Sequence, residues 1–363
     1  MVQDPTRRRF PRSRPISRLL GTAALGLTLS SCSLIEIDSP LTTFKPAGPF
    51  AERIDQLFWP VFWIAVVIFV IVQGAILFSV IAFRDRPGRK EPKQTHGNAK
   101  LEVTWTVIPA LILAGIAIPT VRGVFDLTGC DSGAMTVDVV AHQWWFEFDY
   151  PDNGDIQTAN VMVIPAGQEV CAVMTSEDVI HSFWVPALNG KRDVVPGHQT
   201  LLRLQADQPG EYWAHCAEFC GLSHSLMRGR VQALSQSDFD AWVAGQQEGA
   251  PVPAEGTAAW DGLQVYLSKG CTQCHTVDFA ANDQGVEDNI VAEPGFNGPN
   301  LTHFASRDVF AGAYLPYEGL SYRDALTQWL HNPPGVKPGS FMPNLGLTQK
   351  EINDLIAWME TLS

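Results

Sequence analysis

The chain has 363 residues, of which 46% are apolar and 17% charged, and its formal net charge at pH 7 is −13. A chain of this length can form two or three domains. From residue 103 to the end there are 11 basic and 30 acidic side chains, which excludes nucleic acid as a partner because phosphate is neutralised by positive charge.

The first 31 residues have the pattern of a secretory signal. Arginines up to Arg18 precede an apolar run over residues 19–29, and two serines and Cys32 follow. A charged start, a short apolar run and small residues are typical of a signal peptide. The string Leu-Ser-Ser-Cys ending at Cys32 also resembles a bacterial lipobox, which implies cleavage before Cys32 and acylation of its thiol. An ordinary signal peptide with an incidental Cys32 is the alternative.

Two apolar runs predict a transmembrane hairpin within residues 50–125, with membrane lipid as a partner. Residues 57–83 and 103–120 are each long enough to cross roughly 30 Å of hydrocarbon. The loop between them carries more Lys and Arg than Asp and Glu, so the positive-inside tendency places it in the cytoplasm. Everything after residue 121 then lies on the outer side of a bacterial cell membrane, which is the orientation that the signal also requires.

Residues 126–244 predict an all-β domain. Short alternating or β-branched runs are separated by Gly, Pro and Asn, and they lie at 135–140, 161–164, 170–175, 200–204 and 228–231. Such spacing favours an antiparallel sandwich or barrel. Cys130 and Cys171 face an oxidising compartment in this arrangement, where a mutual disulfide and two buried free thiols are both consistent with the sequence.

Five potential metal ligands are set into this domain. They are two imidazoles, two thiols and a thioether, from His181, Cys216, Cys220, His224 and Met227. Soft thiolate and thioether ligands combined with imidazole select copper, and two cysteines spaced by four residues place both sulfurs where they can bridge a pair of metals. The alternative is zinc held by two Cys and two His, which would not use Met227.

The remainder of the chain predicts a haem-binding domain over residues 258–363, after a flexible linker over residues 245–257. A helix over residues 258–269 is followed by Cys271-Thr-Gln-Cys274-His275. This C-x-x-C-H pattern attaches haem c through two thioethers, with the histidine as an iron ligand. A redox dithiol or a zinc knuckle is the alternative; the histidine disfavours the first, and the lack of a second Cys/His pair nearby in the sequence disfavours the second.

A distal methionine would complete the iron site. Met342 and Met359 are the only methionines after the motif. Met359 lies in a predicted final helix over residues 348–361, where packing is the default. Met342 lies in a Pro/Gly-rich loop that can reach across a haem, so the sequence predicts Met342 as the ligand.

With these residues in place, the chain resembles subunit II of cytochrome c oxidase. The run His-Cys-x-Glu-x-Cys-Gly-x-x-His-x-x-Met and the upstream His-Ser-Phe-Trp-Val-Pro resemble its binuclear copper A site. The resemblance implies that Cys216 and Cys220 are bridging thiolates and that His181 and His224 each bind one copper. It further implies weak axial ligands from Met227 and the backbone carbonyl of Glu218, and a magnesium ion shared with subunit I at the Glu218 carboxylate.

Two further residues are assigned by the same resemblance. Trp144, in the aromatic segment 142–148, would be the electron-entry residue, although aromatic strands are more often core and Trp145 and Phe146 depart mildly from the family pattern. Glu102 resembles a glutamate at the entrance of a proton channel into subunit I, although a charged residue at a helix start is ordinarily an interfacial anchor.

The order hairpin, copper domain, cytochrome domain is similar to subunit II of caa-type haem–copper oxidases, with a cupredoxin-like domain and an all-α class I cytochrome c domain that includes Gly298-Pro-Asn-Leu. The resemblance implies electron transfer from haem c through copper A to the haem a and copper B centres of subunit I, where oxygen is reduced and protons are pumped. It also implies subunit III as a partner, and a cytochrome bc complex or a c-type cytochrome as donor. A subunit of a nitric oxide or nitrous oxide reductase, or a membrane-tethered electron carrier, is the alternative.

Overall fold

The computed structural model describes residues 39–84, 88, 94, 96–293, 295, 298–317 and 319–363. Residues from Thr43 to Ser363 form one unit. The predicted signal segment, Cys32 and several charged residues of the interhelical loop (Arg86, Arg89, Lys90 and Lys93) lie outside the described residues.

Two long helices form the predicted hairpin: α1 (Pro49–Ala82) and α2 (Ala99–Leu127). Both are long and apolar enough to cross a membrane, and their most apolar windows are not buried within the chain. Each helix extends past the run predicted from hydropathy, because hydropathy marks only the apolar turns. The added turns carry charges, and Arg53 of α1 binds Asp126 of α2 at 3.0 Å.

Ten strands follow: β1 (Met135–His142), β2 (Trp145–Tyr150), β3 (Ile156–Ala159), β4 (Val161–Pro165), β5 (Val170–Ser176), β6 (His181–Trp184), β7 (Arg192–Val194), β8 (Thr200–Leu204), β9 (Gly210–Cys216) and β10 (Arg228–Leu234). They form two five-stranded sheets, in the orders β3-β2-β1-β5-β8 and β4-β10-β9-β6-β7. The ring of Phe183 meets those of Phe146 and Phe148 edge to face in the core between the sheets.

The predicted all-β domain is confirmed, but its sheets are not wholly antiparallel. β1 pairs in parallel with β5, and β4 pairs in parallel with β10. Alternation along a strand shows which face is buried and carries no information on the direction of a partner strand. The predicted antiparallel direction was therefore wrong for these two pairs of strands. The predicted strand positions lie close to the observed ones.

The base of this domain is fastened to the helix pair. A disulfide joins Cys130, just after α2, to Cys171 in β5, which decides between the two possibilities that the sequence left open. Arg203 of β8 binds Glu169 at 2.6 Å and the backbone oxygen of Asp126 at 3.0 Å. These contacts fix the sandwich next to the C-terminal end of α2.

After β10, the described residues form the helices α3 (Gln236–Gln246), α4 (Ala258–Ser268), α5 (Tyr322–His331), α6 (Pro333–Val336) and α7 (Gln349–Met359), and the short paired strands β11 (Val277–Asp278) and β12 (Asn289–Ile290). The predicted first and last helices of this region correspond to α4 and α7. Within the segment for which composition predicts a linker, Ala250 exchanges backbone hydrogen bonds with Asp278 and Ala280.

The haem-binding region is organised by the packing of α4 on α7. Gly262 of α4 lies so close that an added Cβ would be 2.0 Å from the backbone oxygen of Asp354. The rings of Tyr266 and Trp358 meet beside this contact with centroids 4.6 Å apart. The absent side chain at Gly262 therefore permits the two helices to approach.

Candidate metal and haem sites

The predicted metal ligands converge at one end of the second sheet. His181 begins β6 and Cys216 ends β9, and these antiparallel strands are paired so that Phe183 faces Cys216. The loop after β9 carries Cys220 and then a turn over His224–Leu226. Strand pairing therefore brings together residues that are 35 positions apart in the sequence.

The two cysteine sulfurs lie at the centre of this cluster. Sγ of Cys216 is 3.7 Å from Sγ of Cys220. Nδ1 of His181 lies 3.9 Å from the first sulfur, and Nδ1 of His224 lies 3.5 Å from the second. Each imidazole thus lies beside a different sulfur, which is the arrangement required for one histidine per metal.

Two weaker donors complete the cluster. Sδ of Met227 lies 3.9 Å from Sγ of Cys220, and this side chain is 1% exposed. The backbone oxygen of Glu218 lies 3.1 Å from Sγ of Cys216. The Glu218 side chain itself is exposed.

A hydrogen bond joins the two cysteine sulfurs and shifts their pKa values in opposite directions. It lowers the pKa of Cys216 and raises the pKa of Cys220. A thiolate is the form of cysteine that binds metal, so this hydrogen bond favours the binding form of Cys216.

His181 is oriented by a carboxylate. Its Nε2 lies 2.7 Å from Oδ1 of Asp178. A carboxylate oxygen can only accept, so Nε2 carries the proton and Nδ1 keeps its lone pair toward the sulfurs. A partner of this kind on the far side of a ligating histidine is typical of metal centres.

This set of donors fits a pair of copper ions. Two thiolates, two imidazoles, a buried thioether and a carbonyl oxygen surround one place, and soft sulfur ligands with imidazole select copper. A tetrahedral zinc ion would use the two Cys and the two His only. The buried sulfur of Met227 beside Cys220 therefore favours copper.

Trp144 lies directly on the loop after β9 that carries Cys220 and His224, here called the copper loop (residues 217–227). Its indole nitrogen donates to the backbone oxygen of Cys220 at 3.0 Å. The neighbouring Gln143 donates to the same oxygen at 2.6 Å. The ring also packs against Gly221, where an added Cβ would lie 3.0 Å from the indole.

Glu102 lies in the first turn of α2. Its carboxylate accepts the backbone N–H of Asn98 at 3.1 Å, and the Asn98 side chain accepts from Lys100 and Leu101. Glu102 thus belongs to the reciprocal cap of the helix.

The C-x-x-C-H residues lie on a short turn after α4. Nδ1 of His275 lies 2.8 Å from the backbone oxygen of Pro299, so Nδ1 donates and Nε2 is left for a metal. Burial lowers the pKa of His275, which favours the neutral ring that ligates iron. Gly298 lies against this ring, since an added Cβ would be 2.7 Å from Cε1.

Cys271 of this motif and Met342 border the same apolar cluster. Cys271 and Cys274 are free thiols, as attachment to a haem requires. Cys271 and Met342 are both half-buried against the core of the region, whereas Met359 is buried within it. These positions fit a haem held between His275 and Met342, with Met359 in a packing role.

Sequence reasoning missed Asp178 and Gln143 as parts of the copper site. Asp178 precedes His181 by three residues, but nothing in that spacing shows that the carboxylate turns back onto the ring. Gln143 lies beside Trp144 in the aromatic segment and acts only through the folded loop. Both contacts depend on tertiary structure.

The chain matches three family models. They are the transmembrane domain of cytochrome c oxidase subunit II over residues 41–122, its periplasmic domain over residues 156–234, and cytochrome c over residues 259–363.

Similar proteins extend over most of the chain. Cytochrome c oxidase subunit 2 of Alkalihalophilus pseudofirmus is 37% identical over 95% of this chain and 97% of its own length. The protein of the same name from Bacillus subtilis is 32% identical over the same shares. The crystal structure of the periplasmic domain of subunit II of cytochrome oxidase of Bradyrhizobium japonicum is 27% identical, with a TM-score of 0.31, over 31% of this chain and 93% of that chain.

Proposed function

The chain belongs to the cytochrome c oxidase subunit II family, and from this premise we propose that it passes electrons from its own haem c through a binuclear copper A centre to subunit I of the oxidase. Membership of the family places the chain in a haem–copper terminal oxidase complex with subunit I. The two kinds of domain imply copper A and haem c. The arrangement of their residues supports the proposed order of transfer.

The contact of Trp144 with the copper loop is the observation that carries the proposal. The indole is hydrogen-bonded to the carbonyl of Cys220 on one side. On the other side it is stacked with Phe341, the residue before Met342, with ring centroids 6.5 Å apart. One aromatic ring therefore touches both the loop that would hold copper and the loop that would hold the iron.

Each ligand has a defined task. The thiolates of Cys216 and Cys220 would hold the two coppers together, and His181 and His224 would each hold one of them. Met227 and the Glu218 carbonyl lie close enough to serve as weaker donors. When bound, the copper pair accepts one electron that is shared between two metals. The chain contributes a buried, preorganised shell that keeps water from the sulfurs.

The haem c ligands follow from the same reasoning. Cys271 and Cys274 would attach the haem through two thioethers, and His275, through Nε2, and Met342 would hold its iron. The Pro299 carbonyl fixes the His275 ring by accepting its Nδ1–H. A methionine in the distal position raises the reduction potential of a c-type haem.

Further parts of the proposal concern the membrane and the partners. Glu102, at the start of α2 in a bacterial cell membrane, marks the entrance of a proton channel into subunit I, and the exposed carboxylate of Glu218 binds magnesium together with that subunit. Subunit III completes the complex, and a cytochrome bc complex or a c-type cytochrome supplies electrons. Oxygen is reduced to water in subunit I, and protons are pumped.

Metal analysis of the purified oxidase tests the proposal. We expect two coppers and one iron for this chain after the copper and the haem iron of subunit I have been subtracted. A single zinc at the cysteine pair would contradict the assignment. Co-purification with a many-helix subunit that contains haem a separates an oxidase subunit from a membrane-tethered electron carrier.

A further inference from the structure

The contact between the copper domain and the cytochrome domain contains a buried ammonium group. Lys337, which follows α6, is 3% exposed. Its Nζ donates to the backbone oxygen of Trp144 in the copper domain and, at 2.9 Å, to that of Ala311 in the cytochrome domain. A charged side chain is rarely buried unless its position is held by good hydrogen bonds, and these two bonds connect different domains.

A glycine leaves room for the buried ammonium group of Lys337. Gly312 has a φ of +78°, and a Cβ at that position would lie 2.3 Å from Nζ of Lys337 and 2.6 Å from the oxygen of Trp144. The backbone oxygen of Gly312 also accepts the N–H of Arg228 at 2.8 Å. Burial lowers the pKa of Lys337 to about 7, because desolvation disfavours the charged form.

The five residues that begin with Lys337, here called the docking loop (residues 337–341), lie on Trp144 and the copper loop. Ser223 donates from Oγ to the backbone oxygen of Pro338 at 2.5 Å. An added Cβ on Gly339 would lie 2.6 Å from the Trp144 ring. The docking loop ends one residue before Met342, so its position on Trp144 also sets the position of the proposed iron ligand.

We infer that Lys337 is a positioning residue for electron transfer between the two domains: by bridging the carbonyls of Trp144 and Ala311, it holds the docking loop against Trp144. This inference rests on the proposed function. Electron transfer between fixed sites slows steeply as the gap between them widens, so a residue that closes the gap controls the rate without touching either metal. The transfer moves one electron from ferrous iron to the oxidised copper pair, and Lys337 gains and loses nothing in it.

The substitution Lys337→Met, made in the intact oxidase, tests the inference. Methionine has a similar length and suits a buried site, but it cannot donate to the two carbonyls. We expect transfer from haem c to copper, measured after rapid photoreduction of haem c, to become several times slower, because the docking loop is no longer held at a fixed distance from Trp144. Reduction of haem c by an external donor should keep its rate.

A second measurement does not depend on activity. Amide hydrogen exchange over residues 337–341 should become faster in Lys337→Met, while exchange in the core of each domain and the optical spectra of both cofactors stay the same. Lys350→Met is the matched control, because Lys350 is an exposed lysine whose ion pairs, with Asp261 and the buried Asp354, lie within the cytochrome domain. It should change neither measurement.

Transfer at the wild-type rate in Lys337→Met, with both cofactors present, would overturn the inference and leave the proposed function intact. If Lys337→Met fails to incorporate a cofactor, Ser223→Ala removes the neighbouring hydrogen bond to Pro338 and should slow the same step to a smaller extent; an unchanged rate there would also overturn the inference. A wild-type oxidase in which reduced haem c never reduces copper would instead refute the proposed function.

Discussion

The carboxylate of Asp178 lies 2.7 Å from Nε2 of His181, on the side of the ring opposite the cysteine sulfurs. The same carboxylate accepts the backbone N–H groups of Gln143 and Val179, each at 2.6 Å. It is therefore fixed by the loop that precedes β6 and in turn fixes the imidazole. Through Gln143 it is connected to the segment that carries Trp144, so the ligand shell and the proposed electron entrance share one support.

The substitution Asp178→Asn should weaken copper binding by about 10–100-fold, the usual effect of losing such a partner of a ligating histidine. The amide has nearly the same shape but lacks the charge that orients the ring. Competition with a copper chelator measures the change. Glu177→Gln, at the exposed neighbouring position, is the control; equal copper retention in both variants would contradict the role of Asp178.

The substitution Met227→Leu should change the near-infrared absorption of the copper pair and leave the spectrum of haem c as it was. Leucine fills a similar volume, so the fold should lose less than about 1.5 kcal/mol, while the weak thioether donor is removed. Met174→Leu is the matched control, because Met174 is buried in the same core. An unchanged copper spectrum in Met227→Leu would show that the sulfur is not a ligand.

The substitution Met342→Leu should convert haem c from a low-spin to a high-spin form and lower its potential, because the distal sulfur is lost. Optical spectra of the reduced protein in the α-band region report the change, and copper absorption serves as an internal reference. Met359→Leu, in the core of the same region, should keep the low-spin spectrum. If Met359→Leu became high-spin while Met342→Leu stayed low-spin, Met359 would be the distal ligand instead of Met342.

The substitution Gly262→Ala should destabilise the cytochrome region by about 1–3 kcal/mol, since the new methyl group has no room between α4 and α7 and overpacking forces the helices apart. Thermal unfolding followed by the haem absorption measures the loss. Gly245→Ala, in α3, is the control because an added Cβ there meets nothing within 4 Å. Equal stability of the two variants would contradict the close helix contact.

The sequence alone predicts much of this molecule. Apolar runs indicate both membrane helices, alternation indicates five of the ten strands of the sandwich (β1, β4, β5, β8 and β10), and the spacing from Cys216 to Met227 indicates a metal site. These features depend on residues close together in the chain. The direction of β5 beside β1 could not be predicted in this way, because alternation is the same for parallel and antiparallel partners.

The connection between the two redox domains was also beyond the sequence. Lys337 and Trp144 are 193 residues apart, and a lysine in a Pro/Gly-rich loop is ordinarily solvated. Its burial follows from the way the cytochrome domain lies on the copper domain. The same holds for Asp178, whose role depends on the turn of a loop and on the ring it meets.

The central claim is that two sulfurs 3.7 Å apart hold two copper ions that share one electron. Electron paramagnetic resonance of the oxidised, purified oxidase tests this most directly. We predict the hyperfine pattern of one unpaired electron coupled equally to two copper nuclei. A signal from a single copper nucleus, or no copper signal together with one bound zinc ion, would contradict it.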